Sequence, residues 1–187
     1  MFLKSKLLSN ILSHLKEVKK MKFRDILKEA DNLYPNANSE TEKMKFANDI
    51  GALISRKYIK NIKTYEARGG EYFSLPRGVT NDVICQIYFD GELQTGFSVA
   101  SILSGSEGHN VRIKYIDIPV YGIDDEVPLS PPHHNIYLYY ILAFICLHCG
   151  DTDSYNINFT LYNTYLQEFE KSLSNSEGET LRYKNLW

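Results

Sequence analysis

Five side chains of types that hold metals lie near one another in the second half of the chain: Cys146, His148 and Cys149, with His133 and His134 upstream. Thiolate and imidazole ligands make a zinc site when they converge in a tetrahedron. On one helix Cys146 and Cys149 share a face, three residues apart, while His148 points elsewhere. The spacing therefore predicts no metal site, and the cysteines read as small apolar residues at the end of a buried helix. Asp90 and Glu92 sit at a turn and Asp124-Asp125-Glu126 in a loop, without the nearby lysine that a nuclease site needs beside its carboxylates. Gly105-Ser106-Glu107-Gly108 lacks the lysine and the strand-to-helix context of a phosphate loop. No Ser or Cys stands in a nucleophile arrangement. Tyr137, Tyr139 and Tyr140 have the chemistry of a pocket wall, but such residues more often fill a core with their hydroxyls at its rim. These patterns predict a protein that is not an enzyme and carries no cofactor.

Residues 1–79 contain 16 Lys and Arg against 9 Asp and Glu, and residues 80–187 contain 5 against 14, so a net charge of −2 divides into +7 and −9. A basic half of this kind is a candidate for a polyanion. With 43% hydrophobic and 13% aromatic residues, the 187-residue chain can build a packed core. No apolar run is long enough to span a bilayer, three cysteines do not make a disulfide framework, and the lysine-flanked start does not read as a signal peptide. The expected location is cytoplasmic, with no membrane partner.

Apolar residues recur at helical spacing over Leu3–Val18 and again at Phe23, Ile26, Leu27, Ala30, Leu33 and Tyr34, ended by Pro35 and Asn36–Asn38. A third helix is signalled by Ser39-Glu40-Thr41-Glu42, a capping box. It buries Phe46, Ala47, Ile50, Leu53 and Ile54, presents Lys45, Asn48, Asp49, Ala52, Ser55 and Arg56, and ends near Lys57. Tyr58–Tyr65 and Glu71–Leu75 flank Ala67-Arg68-Gly69-Gly70 and read as a hairpin, the glycines supplying positive φ at its tip. Further on, Val83–Phe89 reads as a strand before a turn at Asp90-Gly91, and Val111–Val120 as another strand. Ile136–Cys149 reads as a buried helix stopped by Gly150, Tyr155–Leu161 as an alternating strand, and Tyr162–Leu173 as a helix. The tail 175–187 reads as mobile.

Three helices followed by YIKNIKTYEARGGEYFSL make residues 1–79 resemble a winged-helix domain of the helix-turn-helix class. The expected architecture is α+β: this winged helix of three helices and a hairpin wing, then a small acidic α+β module over 80–174 for dimerisation or partner binding. The resemblance places the third helix in a major groove. Asn48 would then pair with adenine, Arg56 with guanine, and Ser55 with base or phosphate, while Lys45 would meet the backbone. Arg68 at the wing tip would follow the minor groove or adjacent phosphates. Lys22 and Arg24 would flank the backbone beside the amide terminus of the second helix. The resulting expectation is a homodimeric, sequence-specific protein that binds double-stranded DNA and regulates transcription. Two alternatives stand beside it: a replication-initiation protein of a small replicon, and an interaction or inhibitor protein that blocks or bridges a protein machine through residues 80–187.

Overall fold

A computed structural model describes residues 21–70 and 73–184, with side chains to 174. The expected first helix, Leu3–Val18, lies outside the described residues, as do Glu71 and Tyr72 of the expected hairpin. The described residues are mixed α+β: five α-helices, one short 3-10 helix and one four-stranded antiparallel sheet. They divide into two compact units, one of residues 21–48 and 121–184, the other of residues 49–120. Both the basic and the acidic stretch of sequence contribute to each unit.

The first unit is helical. Helix α1, Phe23–Leu33, buries Phe23, Ile26, Leu27 and Ala30 on one stripe. Helix α2, Glu40–Lys57, starts on the capping box: the Glu42 amide donates to Ser39 Oγ at 3.3 Å and the Ser39 amide donates to Glu42 Oε2 at 2.7 Å. Its residues to Asn48 belong to this unit and the remainder to the second.

Two later helices, α4 over Asn135–His148 and α5 over Thr152–Lys184, form an antiparallel hairpin. Gly150 at φ +77° turns the chain between them. Asp151 starts α5, its Oδ1 accepting from the Ser154 amide at 3.0 Å. Tyr155–Leu161 is thus helix, not strand. The alternation there coincides with rings at helical spacing, Tyr155 stacking on Phe159 at 5.4 Å and Phe159 meeting Tyr162 at 5.3 Å. The same helix runs on through residues 175–184, which the sequence presents as a polar tail.

The second unit holds the sheet. Its strands are β1 Ile62–Arg68, β2 Ile84–Phe89, β3 Glu92–Gln94 and β4 Asn110–Ile116, in spatial order β1-β4-β2-β3. Asp90 and Gly91, at φ +50° and +91°, make the tight β2–β3 turn. One face buries Ile87, Val111 and Ile113 against Ile102 of the short helix α3, Val99–Gly105. The opposite face carries Thr64, Glu66, Gln86, Tyr88, Arg112 and Lys114, with the lysine ammonium over the Tyr88 ring.

The expected wing is corrected here. β1 pairs with β4, Tyr65 opposite Ile113, and Phe73–Leu75, the described part of the expected return strand, form no strand. Phe73 and Leu75 pack against the buried sheet cluster instead, and the Tyr65 hydroxyl donates to the Ser74 carbonyl at 3.0 Å. Burying two large apolar side chains outweighs the few ladder bonds a short hairpin would make. Gly69 is needed for close approach rather than for a tip: a Cβ there would lie 1.6 Å from the Ser106 carbonyl oxygen.

Candidate functional site

The residues the sequence assigns to DNA are placed on both units, and each unit positions its own. In the first unit the α1 terminus is already occupied. The Phe23 and Arg24 amides donate to the carbonyls of Asp125 and Ile123 at 3.1 and 2.9 Å, and the Lys22 amide donates to Asp25 Oδ2 at 3.2 Å. These acceptors fill the anion site that a free helix terminus offers. Arg24 itself forms a two-point pair with Asp124, Nε to Oδ1 at 3.0 Å and Nη2 to Oδ2 at 3.1 Å. That pairing raises the guanidinium pKa and holds the Asp124 carboxyl below its usual range. Of Lys22 and Lys45, both exposed, neither side chain has an ion-pair partner among the described residues.

Asn48 has become a structural residue. Its Nδ2 donates to the Met44 and Tyr121 carbonyls at 2.9 and 3.1 Å, and its Oδ1 accepts from the Tyr121 amide at 2.7 Å. Those bonds use both faces of the amide that adenine recognition requires. Replacing Asn48 with alanine removes both of these bonds to the Tyr121 backbone in a half-buried position. The variant is expected to lose about 2 kcal/mol of stability, read by urea denaturation. A variant as stable as the parent would show that solvent replaces the amide freely.

In the second unit Ser55 is buried and does not face solvent. Arg56 Nε pairs with Asp82 Oδ2 at 3.1 Å. Arg68 is exposed at the end of β1, opposite Asn110, and Asp90 lies close enough for its carboxylate to sense the charge. Lys63 pairs with Asp117 at 2.7 Å and Arg112 with Glu66 at 2.5 Å, so the sheet's cations are largely neutralised locally. Residues 49–120 hold eight basic and eight acidic residues, a net charge of zero. Part of the +7 of residues 1–79 falls on Lys4, Lys6, Lys16, Lys19 and Lys20, outside the described residues.

Five carboxylates are held below their ordinary range by hydrogen bonds: Glu42 by Ser39, Asp82 by Thr80, Asp90 by the Asn110 amide and His109, Asp124 by Arg24, and Asp151 by Ser154. Because their folded pKa values lie below the unfolded ones, they stabilise the fold fully above the unfolded range. That contribution is lost as pH falls through the folded values. Thermal midpoints are therefore expected to hold down to about pH 4, the unfolded carboxylate range, and to fall below it, as a calorimetric pH series would record. A flat profile would show that these bonds persist equally in the unfolded chain.

Cys146 is fully buried at the end of α4, its Sγ 3.6 Å from Asn158 Nδ2, and burial pushes its thiol pKa up. Cys149 is exposed, and His148 meets the Phe46 ring edge-on at 5.1 Å. Among the described residues no three His, Cys, Asp or Glu side chains are grouped to hold a metal ion. No described helix is long and apolar enough to cross a membrane.

The described residues form a mixed α+β chain in which Arg24, Asn48 and Arg56 are bonded to other residues of the chain. Comparison with protein-family models and with curated proteins found no match.

Proposed function

We propose that this protein acts by protein–protein contact, as a non-enzymatic component that bridges or blocks a larger assembly. The observation that carries this reading is the internal use of the side chains best suited to read DNA. Asn48 clamps the Tyr121 backbone, Ser55 is buried, and Arg24 and Arg56 are paired with Asp124 and Asp82. The neutral charge of residues 49–120 supports it, since non-specific affinity for nucleic acid comes mainly from uncompensated cations. Among the described residues of the other unit the balance is eight basic against 14 acidic, which disfavours a polyanion.

The winged-helix reading, in which residues 1–79 bind duplex DNA as a homodimeric regulator, is the rival proposal. It is supported by the order of helices and by exposed Lys22, Lys45 and Arg68. Three such contacts would give a slope of log K against log salt near about −2.7, against about −4.5 for five. A mobility-shift assay with random duplex DNA at two salt concentrations separates the proposals. The contact reading expects no retained complex at either salt, and a salt-sensitive shift lost in a Lys45→Ala, Arg68→Ala double variant would overturn it.

A further inference from the structure

The two edges of the sheet differ in kind. At one edge β3 is three residues long, too short to template another strand, which is a usual protection for an edge. At the other edge β1 is seven residues long and spans about 23 Å. Its register with β4 shows which backbone groups are free. The Asp117 amide donates to the Asn61 carbonyl at 2.8 Å and the Gly69 amide to the His109 carbonyl at 2.8 Å. In an antiparallel ladder such bonded pairs recur every second residue, so Lys63, Tyr65 and Ala67 point their amides and carbonyls at β4. The N–H and C=O groups of Ile62, Thr64, Glu66 and Arg68 then point away from the sheet. None of them has a backbone partner among the described residues. The segment that follows Gly70 does not shield them where it is described, because Phe73 and Leu75 turn toward the buried face.

Side chains along this edge indicate the chemistry of an occupant. Lys63 and Glu66 are neutralised by Asp117 and Arg112. Lys60, just before the strand, and Arg68, at its end, are exposed and have no carboxylate within ion-pair distance among the described residues. Ile62 is 54% exposed between them. A long open backbone edge with a cation at each end, neither in an ion pair among the described residues, is complementary to an extended strand whose ends are acidic.

We infer that β1 is a docking edge for an extended acidic segment of a partner protein, added antiparallel as a fifth strand. The inference rests on the protein-contact reading above and gives that contact a place and a chemistry. Backbone bonds to Ile62, Thr64, Glu66 and Arg68 would supply the affinity, and Lys60 and Arg68 the preference for acidic ends.

The test uses the full chain and two probe peptides of alternating threonine and valine, one with an aspartate at each end and one with a lysine at each end. Amide hydrogen exchange by NMR is expected to show protection of Ile62, Thr64, Glu66 and Arg68 with the acidic probe. The lysine-ended probe should bind at least about tenfold more weakly. Thr64→Pro should abolish binding while preserving the β1–β4 ladder, since the amide it removes faces outward and proline is tolerated at such edge positions. A Lys60→Glu, Arg68→Glu double variant, which leaves the backbone unchanged, should reverse the preference between the probes. Absence of protection at these four amides with either probe would overturn the inference, as would binding that survives Thr64→Pro. Protection that rises with protein concentration and needs no peptide would assign the edge to a second copy, and so also overturn the occupant proposed. The DNA assay is independent: a peptide failure with no DNA binding removes the edge and leaves the contact reading standing.

Discussion

Phe23→Ala is expected to destabilise the protein by about 4 kcal/mol, the middle of the range for emptying a buried aromatic site. Phe23 is fully buried at the first turn of α1, with the Tyr121 ring 5.1 Å away and the Tyr137 ring 5.2 Å away and edge-on. Tyr137 is itself fully buried on α4, and its hydroxyl has no hydrogen-bond partner among the described residues. Removing the phenyl group therefore leaves a cavity lined by two rigid rings, which cannot collapse into it as aliphatic side chains would. The same geometry predicts that Tyr137→Phe is neutral or slightly stabilising, because it removes a desolvated hydroxyl and keeps the ring. Urea denaturation of the two variants checks both halves. A cost below about 1 kcal/mol for Phe23→Ala would mean that the loop at Tyr121 closes over the site.

Asp31→Ala is expected to cost about 3 kcal/mol, although Asp31 is itself partly exposed. The reason lies in its partner. Lys43 has only 5% of its side chain exposed, and its ammonium sits 2.5 Å from Asp31 Oδ1. Asn36 Nδ2 donates to the same oxygen at 2.9 Å and to the Tyr34 carbonyl at 2.8 Å, tying the end of α1 to the turn before α2. Taking away the carboxylate leaves a buried cation without a counter-charge, which is costlier than losing the pair as a whole. Lys43→Met, which removes the charge and keeps the volume, is expected to cost less than about 1 kcal/mol or to stabilise. Equal losses in the two variants would show that water reaches the ammonium and that the pair behaves as a surface one.

Local chemistry was legible wherever a few adjacent residues decide the outcome. The Ser39–Glu42 box begins α2, Asp90-Gly91 turns the β2–β3 hairpin, and Gly150 stops α4. The periodic apolar stripe of α1 was equally readable, because a helix must bury one face and its sequence records which, and α4 was readable as a helix apolar nearly all round and therefore buried. Tyr155–Leu161 misled because apolar residues spaced by two can also satisfy steps of three and four once longer-range neighbours are counted. Asp151 and the stacked rings settle it as helix.

The candidate site was much less legible, for a physical reason. Whether Asn48 meets a base or a backbone depends on Tyr121, 73 positions away, and whether Arg24 is free depends on Asp124, 100 positions away. The charge division along the chain is real, but folding places carboxylates of residues 80–187 beside cations of residues 1–79: Asp124 with Arg24, Asp82 with Arg56, Asp117 with Lys63. β1 likewise takes its partner from β4 rather than from its neighbour in sequence, because Phe73 and Leu75 gain more by burial than by pairing.

By itself, then, the sequence determined α1, α2 and α4, the Ser39–Glu42 cap, the Asp90-Gly91 turn and the mixed α+β class. Each of these rests on contacts a few residues apart. Only the tertiary structure decided which polar groups are spent inside the molecule and which remain for a partner. That choice is made by long-range pairing and burial, and it leaves the backbone edge of Ile62, Thr64, Glu66 and Arg68 open.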